Sequence, residues 1–344
     1  MTRALGIVAA GMVTGVGLSA QASCAAIRCG INNFSETRFM AGSGSWIVGS
    51  AVPLEVPWRG IEKSAKMAAS AVRECLDALP KLANADVAIP LVLCIAEEDR
   101  PGRLAGLGGP LLFDVERELG IRLHPDSCVI AQGRVGGALG MHRAQKLLYD
   151  NRHPFVVIAG VDTYLTGRTL AAFSSANRLL TADNSNGFIP GEAAAAIVLK
   201  AVGQDAAAMV CAGIGFAREG ATIASEQPLR ADGMVEAVRA ATGMAKIEFD
   251  AIDYRISDVS GEQYRFKEVA LTTTRLLRKH KANFGLGHPA DSVGEVGAAS
   301  LLIMVGVLYW GARKSYLPGS VVLAHLSNDD DKRAALIFTA QGTG

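Results

Sequence analysis

The sequence lacks the features that mark several large classes of protein. Its 34 lysines and arginines balance 33 aspartates and glutamates, which leaves a net charge of +1. A general nucleic-acid surface needs a basic excess, so this balance argues against one. No apolar run reaches the roughly 18 residues that indicate a membrane-spanning helix. We therefore expect a protein that neither binds nucleic acid nor crosses a membrane.

The cysteines also lack the spacing of a metal site. No C-x-x-C pair occurs among the six, which are Cys24, Cys29, Cys75, Cys94, Cys128 and Cys211. This scatter predicts neither a zinc site nor a small disulfide framework. We expect no metal, no cofactor and a reducing cytoplasm.

Apolar material is abundant in this chain. Half of its 344 residues are hydrophobic and only 19% are charged, which is enough for a large core. Predicted strands and helices alternate, so the fold class is α/β. Residues 103–120 are one of the predicted helices. The strand near 207–217 echoes the first strand, and this predicts an internal duplication with units 1–204 and 205–344.

The first 24 residues allow two interpretations. An early Arg3, an apolar run and small residues before Cys24 match a secretory or lipoprotein signal. Alternatively, Ala4 to Gly11 form a buried strand, followed by a glycine turn and a helix from about Ser19. Four glycines interrupt the run and weaken a helical signal segment, so we favour the strand.

Residues 127–148, "SCVIAQGRVGGALGMHRAQKLL", predict a short buried strand, a tight corner and a helix. Enzymes often place a nucleophile at such a corner. Here the tip of the corner is Gln132, whose carboxamide is not a nucleophile. The predicted elbow therefore raises the question of which chemistry this protein retains.

Three segments, in the family's order, resemble the β-ketoacyl synthases, the condensing enzymes of the thiolase-like superfamily. The first is the opening "LGIVAAGMVTGVGLSAQASCAAIRCGINNF". The other two carry the family's motif residues, which are Asp183, Gly187, Phe188, Gly191 and Glu192, and then Gly287, His288 and Gly294. The resemblance implies a five-layer αβαβα fold built from two duplicated βα halves, usually as a homodimer or heterodimer.

The resemblance also locates the three reacting positions. A condensing enzyme uses a cysteine nucleophile and two histidines. Gln132 stands at the cysteine position, Ser260 at the first histidine position and His288 at the second. Serine cannot replace an imidazole that is tuned near neutral pH, so we expect a degenerate site. For His288, a structural role at a helix entrance and a functional role both stay open.

Neighbouring positions depart from the family as well. Asn283 stands where the family has a lysine, with Lys281 nearby but out of register. Gly297 stands where the family has a glutamate, although Glu295 is close. Cys128 lies four residues before the elbow, and we expect it to pack as a small apolar group. The alternative is that Cys128 is a displaced nucleophile.

The C-terminal hairpin carries Asn328, Asp329, Asp330 and Asp331 where the family has Gly-Phe-Gly-Gly, a gate that also donates an oxyanion N–H. We expect an ordinary solvated acidic turn. Such a turn would repel both an acidic carrier protein and the phosphate of phosphopantetheine. An acyl carrier protein is therefore a disfavoured partner.

Three functional hypotheses follow. The leading one is a synthase-like protein that has lost condensation and acts as a partner subunit, adaptor or scaffold. Chain-length factors and accessory components of bacterial secretion clusters are the parallels. The second is a residual enzyme, a malonyl-thioester decarboxylase or acyl-thioester hydrolase that uses Gln132 and His288, as loading-module decarboxylases use glutamine. The third is a 3-oxoacyl synthase with a rearranged site at Cys128 or another thiol.

Overall fold

The computed structural model describes residues 3–42, 44–79, 88–203 and 207–340. The strands within these ranges are β1 Leu5–Val13, β2 Ser35–Met40, β3 Trp46–Gly49, β4 Leu91–Ile95, β5 Cys128–Ala131, β6 Val156–Thr163, β7 Glu192–Ala201, β8 Met209–Arg218, β9 Tyr254–Ser257, β10 Leu286–Gly287, β11 Val321–Ser327 and β12 Lys332–Ala340. The α-helices are α1 Ala20–Arg28, α2 Gly60–Asp77, α3 Gly109–Leu119, α4 Gly136–Tyr149, α5 Gly167–Ser175, α6 Asp232–Ala245, α7 Gln263–Leu276, α8 Ala290–Val293 and α9 Ser300–Arg313. The expected division after residue 204 lies outside the described residues.

Ten strands form one continuous sheet whose order repeats. It runs β10-β9-β11-β12-β8-β1-β7-β6-β4-β5. Strands β1 and β8 form the central antiparallel pair. Outward from β1 the order is β7, β6, β4 and β5, and outward from β8 the corresponding strands are β12, β11, β9 and β10. This repeat confirms the two duplicated βα halves. Strands β2 and β3 form a separate hairpin that the sequence analysis did not predict.

The helices lie in three layers around the two halves of the sheet. Helices α2 and α3 cover the outer face of the first half, and α6 and α7 cover that of the second. Helices α4 and α9 lie between the halves, where Met141 and Leu301 join one core cluster with residues of both. The result is the expected α/β architecture of five αβαβα layers. The apolar sequence places buried residues on both faces of the strands, as a sheet covered on both sides requires.

The N-terminal segment forms the centre of the sheet. Strand β1 pairs with β7 and β8, so the interpretation of this stretch as a buried strand is confirmed. Helix α1 begins after Ser19, whose hydroxyl accepts a hydrogen bond from the backbone N–H of Ala22 at 3.2 Å. Gly11 permits the approach of α2, because a Cβ there would lie 2.1 Å from the carbonyl oxygen of Ala71.

Helix α3 is shorter than the sequence predicts. It begins at Gly109 and not near residue 103. Gly106 and Gly108 have φ angles of +82° and +134°, which a right-handed helix does not allow. Within the described ranges, no helix combines the length and apolarity needed to cross a membrane.

Candidate functional site

The predicted corner at Gln132 is present between β5 and α4. Gln132 precedes a single 3₁₀ turn, Gly133–Val135, which leads directly into the helix. Gly133 has a φ of +53°, and a Cβ there would lie 2.2 Å from Oε2 of Glu97. The second half repeats this corner before α9, where Gly297 has a φ of +48°. The corner therefore belongs to the duplicated scaffold.

The C-terminal hairpin holds the backbone of the elbow. The side-chain N–H of Asn328 donates to the carbonyl oxygen of Gln132 at 3.0 Å, and its Oδ1 accepts from the N–H of Val135 at 3.1 Å. Asn328 therefore fixes the corner from both sides. The half-buried Gln132 carboxamide itself has no hydrogen-bond partner within the described part of the chain.

A buried ion pair connects the elbow to the position of the first histidine. Arg134 donates through Nε and Nη2 to the two carboxylate oxygens of Glu295, at 3.0 and 2.6 Å. The hydroxyl of Ser260 donates to Oε2 of Glu295 at 2.6 Å. Burial raises the pKa of Glu295, but Arg134 and the hydrogen bonds outweigh it, so the pKa lies below its usual value. Glu295 thus links Ser260 to Arg134, which stands two residues after Gln132.

Asp329 joins the same network. Its carboxylate pairs with Arg134 at 3.0 Å, with Arg178 at 2.6 Å and with Arg265. Burial raises the pKa of Asp329, but Arg134 and Arg178 overcome this and lower the pKa to about 2. Arg178 also makes a bidentate pair with Glu262.

The expectation of a solvated acidic turn is therefore wrong. Asp329 is bound by three arginines, and Asn328 is only 4% exposed. Asp330 pairs with Lys332 at 2.5 Å, and Asp331 pairs with Arg218 at 2.6 Å. Since every carboxylate of the turn has a cationic partner, the repulsion argument against a carrier protein loses its basis.

His288 lies apart from this network. Its Nδ1 is 2.9 Å from Oδ2 of Asp291, without the alignment of a hydrogen bond, and its ring contacts Phe266 edge-on. Its side chain is about a quarter exposed, at 26%. Among the described residues, no hydrogen bond, ion pair or ring contact joins it to Gln132 or Ser260. Of the three predicted site residues, only Ser260 therefore has its side chain bonded to the ion-pair network within the described part of the chain.

The residues at the family's lysine position are peripheral. Asn283 is exposed. Lys281 donates to the carbonyl oxygen of Ile252 and lies over the ring of Phe284. The hydrogen bond attaches the loop before β10, which contains Lys281, to the segment before β9.

The cysteines have the properties of buried apolar residues, with one exception. Burial raises the pKa of Cys24 and Cys211 to about 12 and raises that of Cys75 and Cys94 further. Burial also raises the pKa of Cys128, although Arg143 opposes it. Cys29, at the end of α1, is exposed.

The cavities near the network are small. A cavity beside Asp258 and Glu295 has a volume of about 10 Å³, which is room for one water molecule. A larger cleft of about 600 Å³ lies between the β2–β3 hairpin and the start of α2, lined by Trp58, Lys63 and Leu165. Neither Gln132, Ser260 nor His288 lines this cleft.

Sequence analysis missed the arginine network. One signal could have indicated it. Arg134 stands between Gly133 and Val135, and Glu295 stands between Gly294 and Val296. A charged residue within a buried glycine and apolar stretch needs an oppositely charged partner.

Comparisons with known proteins bear on the fold of this chain. A family model described as "Beta-ketoacyl synthase, N-terminal domain" matches residues 136–205, from the start of α4 past the end of β7. A comparison with curated proteins gives no match.

Solved structures match over the whole chain. The ketosynthase ApeO in complex with its chain length factor ApeC, from Xenorhabdus doucetiae, gives a TM-score of 0.79 at 13% identity, covering 98% of both chains. The AntDE:AntF complex of a type II ketosynthase with its acyl-carrier protein gives 0.81 at 14% identity, covering 99% of this chain and 100% of that one. The module 6 ketosynthase of the bacillaene synthase from Bacillus subtilis 168 gives 0.77 at 14%, covering 98% and 72%. The chain therefore has the thiolase-like fold of the ketosynthases, and the resemblance to β-ketoacyl synthases that its sequence motifs indicated is confirmed.

Proposed function

We propose that this protein is a non-condensing member of the ketosynthase fold that acts as a partner subunit. The observation that carries the proposal is the composition of the elbow. Gln132 stands where a condensing enzyme needs a thiol, and the first histidine position is a serine whose hydroxyl is bound to Glu295.

The thiols support this proposal. A condensing cysteine must be a thiolate at neutral pH, which requires a lowered pKa. In this chain, burial raises the pKa of Cys128, the thiol nearest the elbow in sequence, and of four other cysteines. The third hypothesis, a synthase that uses Cys128, therefore lacks an activated nucleophile.

The ion-pair network gives a second line of support. Arg134 is bound to both Glu295 and Asp329, and each of these carboxylates has a further partner of its own. Charged groups that are already hydrogen-bonded to each other can bind a thioester substrate only if some of these bonds break. Breaking them would leave buried charges unpaired. The network is therefore better suited to holding the two halves together than to catalysis.

Intact-protein mass spectrometry after incubation with acyl-CoA and malonyl-CoA tests the loss of condensation. We expect no covalent adduct. A matched control is Gln132→Cys, which restores a thiol at the elbow and shows whether substrate can reach it. A stable acyl adduct on the wild-type chain would disprove the proposal.

The partner is proposed from the open edge of the sheet. Strand β5 is the last strand on its side and pairs only with β4 among the described strands. Its four residues are apolar and half-buried. An apolar edge strand is a template for another chain. The ApeO structure is a complex of a ketosynthase with its chain length factor, which supports a related protein as the partner.

Size measurement by light scattering, alone and with a co-expressed ketosynthase, tests this assembly. We expect Ile130→Lys, on β5, to abolish the dimer, because natural edge strands use lysine to block pairing. Phe113→Lys on α3 is the control, since Phe113 is 63% exposed and is not part of the edge strand. A dimer that survives Ile130→Lys in a folded protein would contradict the assignment of this edge.

A residual thioester enzyme is the second candidate. The free carboxamide of Gln132 favours it, because an unpaired amide can bind a thioester carbonyl. This function predicts that the protein releases CO₂ from malonyl thioesters. Gln132→Ala should abolish this release, and His288→Ala should reduce it. The leading proposal predicts no release above the rate of heat-denatured protein.

A further inference from the structure

Three potential metal ligands meet at the end of the sheet opposite the elbow. His124 and Asp126 lie in the loop between α3 and β5, and His153 lies in the loop between α4 and β6. One donor atom from each lies within 4.8 Å of the other two. Since β5 and β6 both run parallel to β4, these loops share the amino-terminal end of the strands. The elbow follows the carboxyl-terminal end.

The distances fit a single small cation. Nε2 of His153 is 2.8 Å from Oδ2 of Asp126, and Nδ1 of His124 is 3.8 Å from the same oxygen. Zinc binds histidine nitrogen and carboxylate oxygen at about 2.0–2.2 Å, so its tetrahedral ligands lie about 3.3 Å apart. The observed separations lie on both sides of this value. Binding would therefore move the donor atoms by amounts on the order of 1 Å.

The backbone already holds the ligands in place. The N–H of His124 donates to Ile89, its carbonyl accepts from Ser127, and the N–H of His153 donates to Leu147. The two histidine rings pack edge-on, with centroids 4.4 Å apart. Both ligand-bearing loops are therefore ordered before any ion binds.

Two contacts must change for an ion to bind. The carboxylate of Asp126 accepts a hydrogen bond from Asn151 and is hydrogen-bonded to Nε2 of His153. Nδ1 of His124 accepts from the backbone N–H of Asp126 at 3.0 Å. A cation would replace both of these hydrogen bonds.

The donor types select the class of metal. Two imidazoles and one carboxylate suit zinc and similar divalent transition metals, whereas magnesium and calcium prefer oxygen ligands alone. The side chains are 13% to 34% exposed, so the ion can enter from solvent and a water can complete its coordination. We propose that His124, Asp126 and His153 bind one divalent zinc-class cation, which joins the α3–β5 loop to the α4–β6 loop.

Calorimetric titration of the chelator-treated full chain with zinc chloride tests the proposal. We expect one equivalent to bind, and His124→Ala and His153→Ala each to weaken binding by about 100-fold or more, since loss of even an outer-shell partner costs about 10–100-fold. His280→Ala is the control, because His280 is exposed and outside the cluster. Absence of zinc binding, or binding that both cluster variants retain, would overturn the proposal.

A second measurement does not depend on the variants. X-ray absorption at the zinc edge of the loaded wild-type chain should show nitrogen and oxygen neighbours only. A sulfur neighbour would assign the ion to a cysteine and disprove the site.

Discussion

Arg134 at the elbow and Asp329 in the C-terminal hairpin form an ion pair across 195 residues of sequence, with Nη1 and Oδ1 3.0 Å apart. The same guanidinium group pairs with Glu295 at the entrance to α9. One side chain therefore joins the elbow of the first half to two segments of the second. This network includes Arg134, two residues after the predicted nucleophile position Gln132, and bonds Ser260, the predicted first histidine position.

Loss of the Asp329 charge should destabilise the fold. Asp329→Asn leaves Arg134, Arg178 and Arg265 facing a neutral group, and breaking a largely buried pair costs about 3 kcal/mol. Urea denaturation measures the free energy of unfolding. Asp331→Asn is the matched control in the same turn, because the partner Arg218 is 78% exposed and the loss should be below about 1 kcal/mol. Equal effects of the two substitutions would contradict the network.

The pair of Arg134 and Glu295 should show strong coupling. We expect Arg134→Met and Glu295→Gln each to lower the free energy of unfolding by about 3–5 kcal/mol, because each leaves a buried charge without its partner. The double variant should lose about 1–3 kcal/mol less stability than the sum of the losses of the two single variants. The control is the same double-mutant cycle for the ion pair of Arg3 and Asp150, whose side chains are 48% and 40% exposed. Its coupling energy should be below about 1 kcal/mol. Additive losses at Arg134 and Glu295 would show that they do not act together.

Two buried groups should give opposite pH dependences of stability. Burial and Arg255 lower the pKa of His325 from 6.5 to about 3. Between these values the unfolded chain binds more protons than the native one, so stability falls as pH falls. Burial raises the pKa of Asp258 from 3.8 to about 7. Between those values the native chain holds the extra proton, so stability falls as pH rises.

Single variants should separate the two slopes. In wild type, His325 should lower the free energy of unfolding as the pH falls, and His325→Gln should remove this contribution. Asp258 should lower the free energy of unfolding as the pH rises, and Asp258→Asn should remove that contribution. Each slope is at most about 1.4 kcal/mol per pH unit. Urea midpoints from pH 4 to pH 7 measure both. If the two variants change the profile in the same direction, the assigned pKa shifts are wrong.

The sequence could predict those features that depend on local pattern. Apolar runs and glycines predicted β1, the C-terminal hairpin and the corner at Gln132. The hairpin of β2 and β3 was missed because "SETRFM" has no apolar periodicity. The partners of Arg134 could not be predicted, because they come from distant segments that only the folded sheet brings together. The error at the acidic turn has the same origin, since Arg134, Arg178 and Arg265 lie outside its sequence.

Thiol labelling tests whether Cys128 is an activated nucleophile, as a synthase with a rearranged site would require. We expect iodoacetamide to modify Cys29 rapidly in the native protein, because it is exposed, and to modify Cys128 slowly, because it is half-buried and burial raises its pKa. Peptide mass spectrometry identifies the labelled residues, and unfolding in urea should expose all six cysteines. Cys29→Ser should remove the rapid phase and nothing else. Rapid modification of Cys128 in that variant would reveal an activated thiol on β5, the strand that leads into the elbow. The proposal that this protein cannot catalyse condensation would then be wrong.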